Sequence, residues 1–192
     1  MILSNEGLEL IKRFEGCRLS AYKCPAGVWT IGYGHTGNVN ASTKITQETA
    51  DYYLRSDVAK FENHVNMINV LYNYKFTQSQ FDALVSFAFN IGNIKGLTNN
   101  GSRNKRTIAD KMLLYNKANG KILDGLTKRR NAEHDLFIRD MGDNVTPKSL
   151  DDIVNEVMAG KWGNGNARKQ KLIKAGYDYD AIQKRINEIK RG

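Results

Sequence analysis

The chain has few of the residues that build metal sites or disulfide scaffolds, with two cysteines and three histidines in 192 residues. Cys17 and Cys24 lack the paired spacing of a zinc site, and His64 and His134 belong to no ligand grouping. We therefore predict no metal and no cofactor. Because a cytoplasmic protein keeps its thiols reduced, we expect Cys24 to be free and Cys17 to be a packing residue.

Long apolar runs are also missing, since no stretch approaches the roughly 18 residues that cross a bilayer, and this excludes membrane insertion. The start, residues 1–7, has neither the basic nor the apolar region of a secretion signal. We expect the protein to accumulate in the cytoplasm of the cell that makes it.

Acidic residues are outnumbered, with 29 Lys and Arg against 20 Asp and Glu and a formal charge of +9. This balance favours anionic partners such as wall polymers, lipid head groups or nucleic acid. No nucleic-acid-binding motif is present, so nucleic acid is not predicted as a partner. The length fits one ordinary domain and a small appendage.

The first 35 residues predict a helix followed by a β-hairpin. From Ser4, a plausible N-cap, apolar residues recur at helical spacing as far as Gly16, which is placed to end the helix. Glu15 then lies at the helix C-terminus, where the helix dipole disfavours a negative charge and favours the protonated carboxyl. The alternating segments 19–22 and 28–33 predict two strands, with Cys24 in the turn and Thr30 on the return strand.

The remaining patterns are mostly helical. Thr46 begins a long amphipathic helix, and Thr77 with Gln80 forms a capping box that begins a strongly apolar helix ending near residues 90–92. Residues 93–105 read as a polar loop, and helical patterns follow around residues 108–113 and 125–137. Residues 142–149 read as a linker, and three short helices are predicted at 151–160, 166–175 and 179–189.

The spacing Glu15, eight residues, Cys24, five residues, Thr30, together with the segment Thr30-Ile31-Gly32-Tyr33-Gly34-His35, resembles the catalytic signature of phage-type lysozymes, glycoside hydrolase family 24. The family has Asp or, in a subset, Cys at the middle position. Segments 81–92 and 125–133 are also similar to family segments, although Asp124 replaces a common Pro. This resemblance covers residues 1 to about 140.

Residues 155–168 and 175–183 resemble the CW-seven cell-wall-binding repeat, and no second copy is present. Together the two resemblances imply an α+β chain. Residues 1–141 would form a mostly helical, lysozyme-like catalytic domain with a small N-terminal β-hairpin region. A linker at 142–149 would lead to a wall-binding three-helix bundle at 150–192.

The resemblance implies a muramidase that cleaves the β-1,4 bond between N-acetylmuramic acid and N-acetylglucosamine in peptidoglycan. As an endolysin it would act as a monomer, remaining in the host cytoplasm until it is released to the cell wall. A lytic transglycosylase, which gives an anhydro product, and a catalytically inactive wall-binding protein remain open alternatives.

Glycoside hydrolysis requires an acid that protonates the leaving oxygen and a nucleophile at the anomeric carbon. Glu15 is the one member of the trio able to supply the proton near neutral pH. A thiol with a reference pKa of about 8.5 is mostly neutral at pH 7. Cys24 therefore either has a lowered pKa or positions water as a neutral group, and Thr30 orients the attacking water.

His35 is a tempting alternative base, but we predict that it packs at the foot of the hairpin and pairs with Asp57. Arg129 and Arg130 either approach Glu15 from the last helix or form a solvated surface pair. In the tail, Arg168 is the best candidate to bind substrate. The aromatic residues Trp162, Tyr177 and Tyr179 either join it at a sugar surface or fill the core of the small bundle.

Overall fold

The computed structural model describes residues 1–141, 150–175 and 177–190, and it confirms the α+β prediction. The first part contains α1 (Asn5–Glu15), α2 (Gln47–Leu71), α3 (Gln78–Ile91), α4 (Lys95–Thr98), α5 (Lys105–Met112) and α6 (Asp124–Ile138), and a 3-10 turn at Arg139–Met141. Its strands are β1 (Arg18–Lys23), β2 (Trp29–Gly32), β3 (Lys117–Ala118) and β4 (Lys121–Ile122). The tail contains α7 (Leu150–Met158), α8 (Gly165–Lys174) and α9 (Tyr179–Ile189).

Helix α3 is the centre of the larger core. All residues from Gln80 to Ala88 are buried, and α1, α2 and α6 pack around it. The predicted capping box is present, because the Thr77 hydroxyl accepts from the Gln80 amide and the Gln80 side chain accepts from the Thr77 amide. Such a helix is stable only when it is covered on every side, and its buried polar residues Gln80, Asp82 and Ser86 all have hydrogen-bond partners.

Helix α1 approaches α3 closely at Gly7. A Cβ on this glycine would lie 2.5 Å from Leu3 Cδ1 and 2.8 Å from Asp82 Cβ. Asp82 also accepts from the Ser4 amide at 3.0 Å and from the Ser4 hydroxyl. The start of α1 is therefore fixed on the central helix, and Glu15 follows at its other end.

Strands β1 and β2 form the predicted antiparallel hairpin, with Tyr22 opposite Thr30 and Lys23 opposite Trp29. The register shifts between Arg18 and Tyr22, so β1 carries a bulge or irregularity there. The small pair of β3 and β4 was not predicted, and neither was the short helix α4 inside the stretch read as a polar loop.

Six buried side chains form a second hydrophobic cluster in the tail, and Trp162, Tyr177 and Tyr179 pack against it. The buried six are Ile153, Val154, Val157, Leu172, Ile182 and Ile186. The three aromatic residues thus contribute to the core of the small bundle, and this confirms the second of the two alternatives given for them above. The predicted linker at 142–149 lies outside the described residues.

Within the described ranges, no helix combines the length and the apolar character that a membrane crossing requires.

Candidate functional site

Glu15 is the last residue of α1, and the helix ends there because Gly16 adopts a positive φ of 68°. The carboxylate accepts a hydrogen bond from Arg129 Nη1 at 2.6 Å. The Glu15 side chain is 24% exposed, whereas that of Arg129 is only 4% exposed. Glu15 is therefore a carboxylate open to a ligand on one side and held by a buried guanidinium on the other.

Arg129 belongs to a buried polar cluster, so the surface-pair reading of Arg129 and Arg130 was wrong. One oxygen of Glu133, Oε1, accepts from Ser86 Oγ at 2.7 Å, Arg129 Nε at 3.0 Å and Arg130 Nη2 at 3.1 Å. Its other oxygen lies 2.8 Å from Arg130 Nε. The side chains of Arg130 and Glu133 are 0% exposed, so their charges are balanced inside the protein rather than by water.

Burial has opposite effects on the two ends of this cluster. It raises the pKa of Glu133, and the Arg130 and Arg129 guanidinium groups oppose that shift. Burial lowers the pKa of Arg130, whereas the nearby negative charge of Glu133 raises it. Sequence reasoning assigned no role to Ser86 or Glu133; the signal that could have found them was the pair Arg129 and Glu133, four positions apart on α6.

A cavity of about 440 Å³ lies in front of Glu15. The described residues that line it are Glu15, Tyr33, Gly34, His35, Thr36, Gly37, Asp57, Lys60, Phe61, Phe89 and Asn90. Aromatic, carboxylate and amide side chains in one cleft are suited to bind a sugar. A larger groove of about 970 Å³ is lined by residues of α1, α2 and α6 together with Tyr33 and Arg139, and none of the predicted trio is among its described lining residues.

His35 and Asp57 meet in this cavity, where His35 Nδ1 lies 2.9 Å from Asp57 Oδ2. His35 Nε2 lies 3.1 Å from the Gly37 carbonyl, and the imidazole stacks on Tyr53 with ring centroids 4.2 Å apart. Both ring nitrogens thus have partners within the protein. The geometry favours a packing and orienting role for His35, and that role stays a prediction.

Cys24 and Thr30 lie together at the end of the hairpin. The Cys24 amide donates to the Val28 carbonyl at 3.0 Å and closes the turn, and the Thr30 hydroxyl lies 3.1 Å from the same carbonyl. Hydrogen bonds from the backbone of Val28 and Ala26, with a further one from the Thr30 hydroxyl, lower the pKa of the Cys24 thiol. The direction of this shift matches the first of the two alternatives for Cys24, a lowered pKa, and the role of the thiol stays a prediction.

Thus the trio falls into two groups, because Glu15 lines the cavity while Cys24 and Thr30 are not among its lining residues. Cys17 is exposed, and the expectation that it packs was wrong. It precedes β1, and β1 belongs to a two-stranded sheet whose first residues are uncovered.

In the tail, a cavity of about 450 Å³ is lined by Glu156, Lys161, Trp162, Lys171 and Ala175. Trp162 Nε1 donates to Glu156 at 3.1 Å. Arg168 is not among the described lining residues, and it donates to Gln183 at 3.0 Å instead. Arg168 as a ligand residue stays a prediction.

Comparison with known proteins gives two family matches. The phage lysozyme model matches residues 12–133, and the CW_7 repeat model matches residues 151–189. The chain is 44% identical over 147 residues to the endolysin of Acyrthosiphon pisum secondary endosymbiont phage 1, covering 71% of this chain and 98% of that protein.

Two further relatives extend the comparison. The endolysin of Bacillus phage B103 is 42% identical over 156 residues, which are 76% of this chain and 57% of that protein. The solved structure of the muramidase domain of SpmX from Asticaccaulis excentricus superimposes with a TM-score of 0.62 at 38% identity, covering 71% of this chain and 97% of that chain. Because the lysozyme model covers more than half of the chain and includes the Glu15 and Arg129 site, the chain belongs to the phage lysozyme family.

Proposed function

We propose that the chain is a muramidase that hydrolyses the β-1,4 bond between N-acetylmuramic acid and N-acetylglucosamine in bacterial peptidoglycan. The observation that carries this proposal is Glu15, a partly exposed carboxylate that lines a cleft and is held by the buried Arg129. A general acid in this setting is oriented by the protein and open to the leaving oxygen. The muramidase named among the similar structures supports the choice of bond.

In this mechanism Glu15 donates its proton to the glycosidic oxygen as the bond to the anomeric carbon breaks. Cys24, whose pKa is lowered by backbone donors, supplies a thiolate that takes a proton from a water molecule as the water oxygen bonds to the anomeric carbon. The Thr30 hydroxyl orients that water. The buried pair of Arg129 and Glu133 keeps the Glu15 carboxyl in one position, which lowers the entropic cost of reaching the transition state.

We further propose that residues 1–141 form the catalytic domain and residues 150–192 a separate wall-binding domain, joined by a linker at 142–149. The two distinct hydrophobic clusters support this division. A tail that binds peptidoglycan weakly would hold the catalytic domain near its substrate and raise the effective substrate concentration. Release from the host cytoplasm to the wall would then lyse the host.

The test is product analysis by mass spectrometry after digestion of purified peptidoglycan with the full chain. We expect reducing ends that carry oxygen from ¹⁸O-labelled water, and no product from Glu15→Gln. The matched control is Glu9→Gln. The Glu9 carboxylate lies on the same helix but forms an ion pair with Lys12 rather than with Arg129, so this substitution should leave activity unchanged. Anhydro products without the label would indicate a transglycosylase, and wild type as inactive as Glu15→Gln would indicate a wall-binding protein.

A further inference from the structure

Arg129 contacts two carboxylates at once, and this sharing has a consequence for the proposed acid. Its Nη1 donates to Glu15 at 2.6 Å, and its Nε donates to Glu133 at 3.0 Å. A guanidinium that faced Glu15 alone would favour the ionised carboxylate, which is the form that cannot donate a proton. The second carboxylate takes up part of the positive charge.

Glu133 is suited to this task because it is an anion that water cannot screen. Three donors converge on its Oε1, and Arg130 Nε lies 2.8 Å from its Oε2. Both the Arg129 and the Arg130 guanidinium groups form ion pairs with Glu133, and two adjacent positive charges favour its carboxylate form. With side chains at 0% exposure for both Glu133 and Arg130, their charges act on Glu15 through protein rather than solvent.

Three charged side chains follow Glu15 into the protein interior: the guanidinium groups of Arg129 and Arg130, and the carboxylate of Glu133. The net formal charge of Arg129, Arg130 and Glu133 together is therefore +1 rather than +2. We propose that Glu133 is a positioning residue that keeps Glu15 able to hold a proton, by offsetting one of the two positive charges behind it. The catalytic use of that proton rests on the proposed function.

Other charged and titratable groups also surround Glu15 and have to be held constant in a test. Those that line the same cavity are His35 after β2, and Asp57 and Lys60 on α2. Among the described residues, only Arg129 forms an ion pair with Glu15. Substitutions confined to Glu133 and Arg130 therefore change one part of this environment.

The experiment follows the Glu15 carboxyl directly by ¹³C NMR titration of the full chain, in which the glutamate residues are ¹³C-labelled. The Glu15 signal is assigned by its loss in the Glu15→Gln variant. We expect Glu133→Gln to move the Glu15 titration midpoint to lower pH by on the order of one unit. Arg130→Gln should move it to higher pH. The double variant, which restores the net charge, should return it to near the wild-type position.

Ser86→Ala is the matched control, because it removes a donor to Glu133 at 2.7 Å and leaves every charge in place. It should not move the Glu15 midpoint. If Glu133→Gln does not fold, two expectations remain distinct: a higher midpoint in Arg130→Gln, and a midpoint near that of wild type in the charge-restored double variant. A Glu15 midpoint that stays fixed in every folded variant, or that moves equally in Ser86→Ala, would overturn the proposal.

The pH profile of kcat/KM provides the second measurement. Its descending limb, where the acid loses its proton, should move with the Glu15 midpoint, whereas a purely structural role for Glu133 would lower the plateau without moving the limb. If wild type released no product while the midpoint moved as expected, the proposed muramidase activity would fail and the charge coupling would stand.

Discussion

The substitution His35→Asn separates the two roles that a histidine beside the cleft could have. It removes the contact between His35 Nδ1 and Asp57 Oδ2 at 2.9 Å and the stack on Tyr53 at 4.2 Å. A hydrogen bond to a charged group contributes roughly 1.5–3 kcal/mol, and an aromatic stack roughly 0.5–1.5 kcal/mol. The two side chains are 18% and 32% exposed, so solvent weakens the pair, and we expect a loss of about 2 kcal/mol in unfolding free energy.

For a domain of this size, each kcal/mol corresponds to about 2–4 °C in Tm, so His35→Asn should melt about 4–8 °C below wild type. Circular dichroism at 222 nm measures this change. Removing a general base typically costs roughly 100- to 10,000-fold in rate. Because His35 is given a structural role here, product release at 25 °C should fall by much less than that.

The matched control is His134→Asn, because His134 pairs with Asp135 at 3.3 Å and the Asp135 side chain is 76% exposed. An ion pair this exposed contributes about 0–1 kcal/mol, so Tm should hardly change. Asp57→Asn should reproduce the loss in Tm caused by His35→Asn. A His35→Asn variant that melts like wild type and has no turnover would refute the structural assignment.

Three further predictions concern the thiol, a helix cap and a helix contact. Backbone donors and Thr30 lower the pKa of Cys24, so the rate at which iodoacetamide alkylates Cys24 should rise at a pH below the usual thiol range. Thr30→Val should move that rise to higher pH. Identical pH profiles for wild type and Thr30→Val would contradict this prediction. Thr77→Ala should cost about 1 kcal/mol in urea unfolding, since α3 loses its cap, and no loss would show that the cap is redundant. Gly7→Ala should destabilise the fold by about 1–3 kcal/mol, because the new Cβ would lie too close to α3. Gly125→Ala, which has open space around its Cβ position, should be neutral or stabilising. Equal effects of the two substitutions on unfolding free energy would refute the contact argument.

Much of the local structure was accessible from the sequence because its causes are local. Ser4, Thr46 and Thr77 each cap the helix that they were predicted to begin. Gly16 ends α1 with a positive φ, which places Glu15 at the helix end. The pattern between Leu19 and Tyr33 gave the hairpin, since strand alternation and turn residues act over a few positions.

The missed elements lack such local signals. Strands β3 and β4 have two residues each, and Lys117, Ala118 and Lys121 are not residues that favour strands. The exposure of Cys17 depended on how little of the sheet is covered, which its own neighbours in sequence do not reveal.

The sequence by itself located the residues that we propose carry the chemistry: Glu15 at a helix end, with Cys24 and Thr30 on a hairpin. Only the tertiary structure decided what acts on them. Arg129 is 114 positions from Glu15, and Ser86 is 47 positions from Glu133, yet they form one buried cluster. The physical reason is that helix periodicity fixes which face of α6 is buried, but the charge balance inside the protein depends on which side chains of α1 and α3 meet that face.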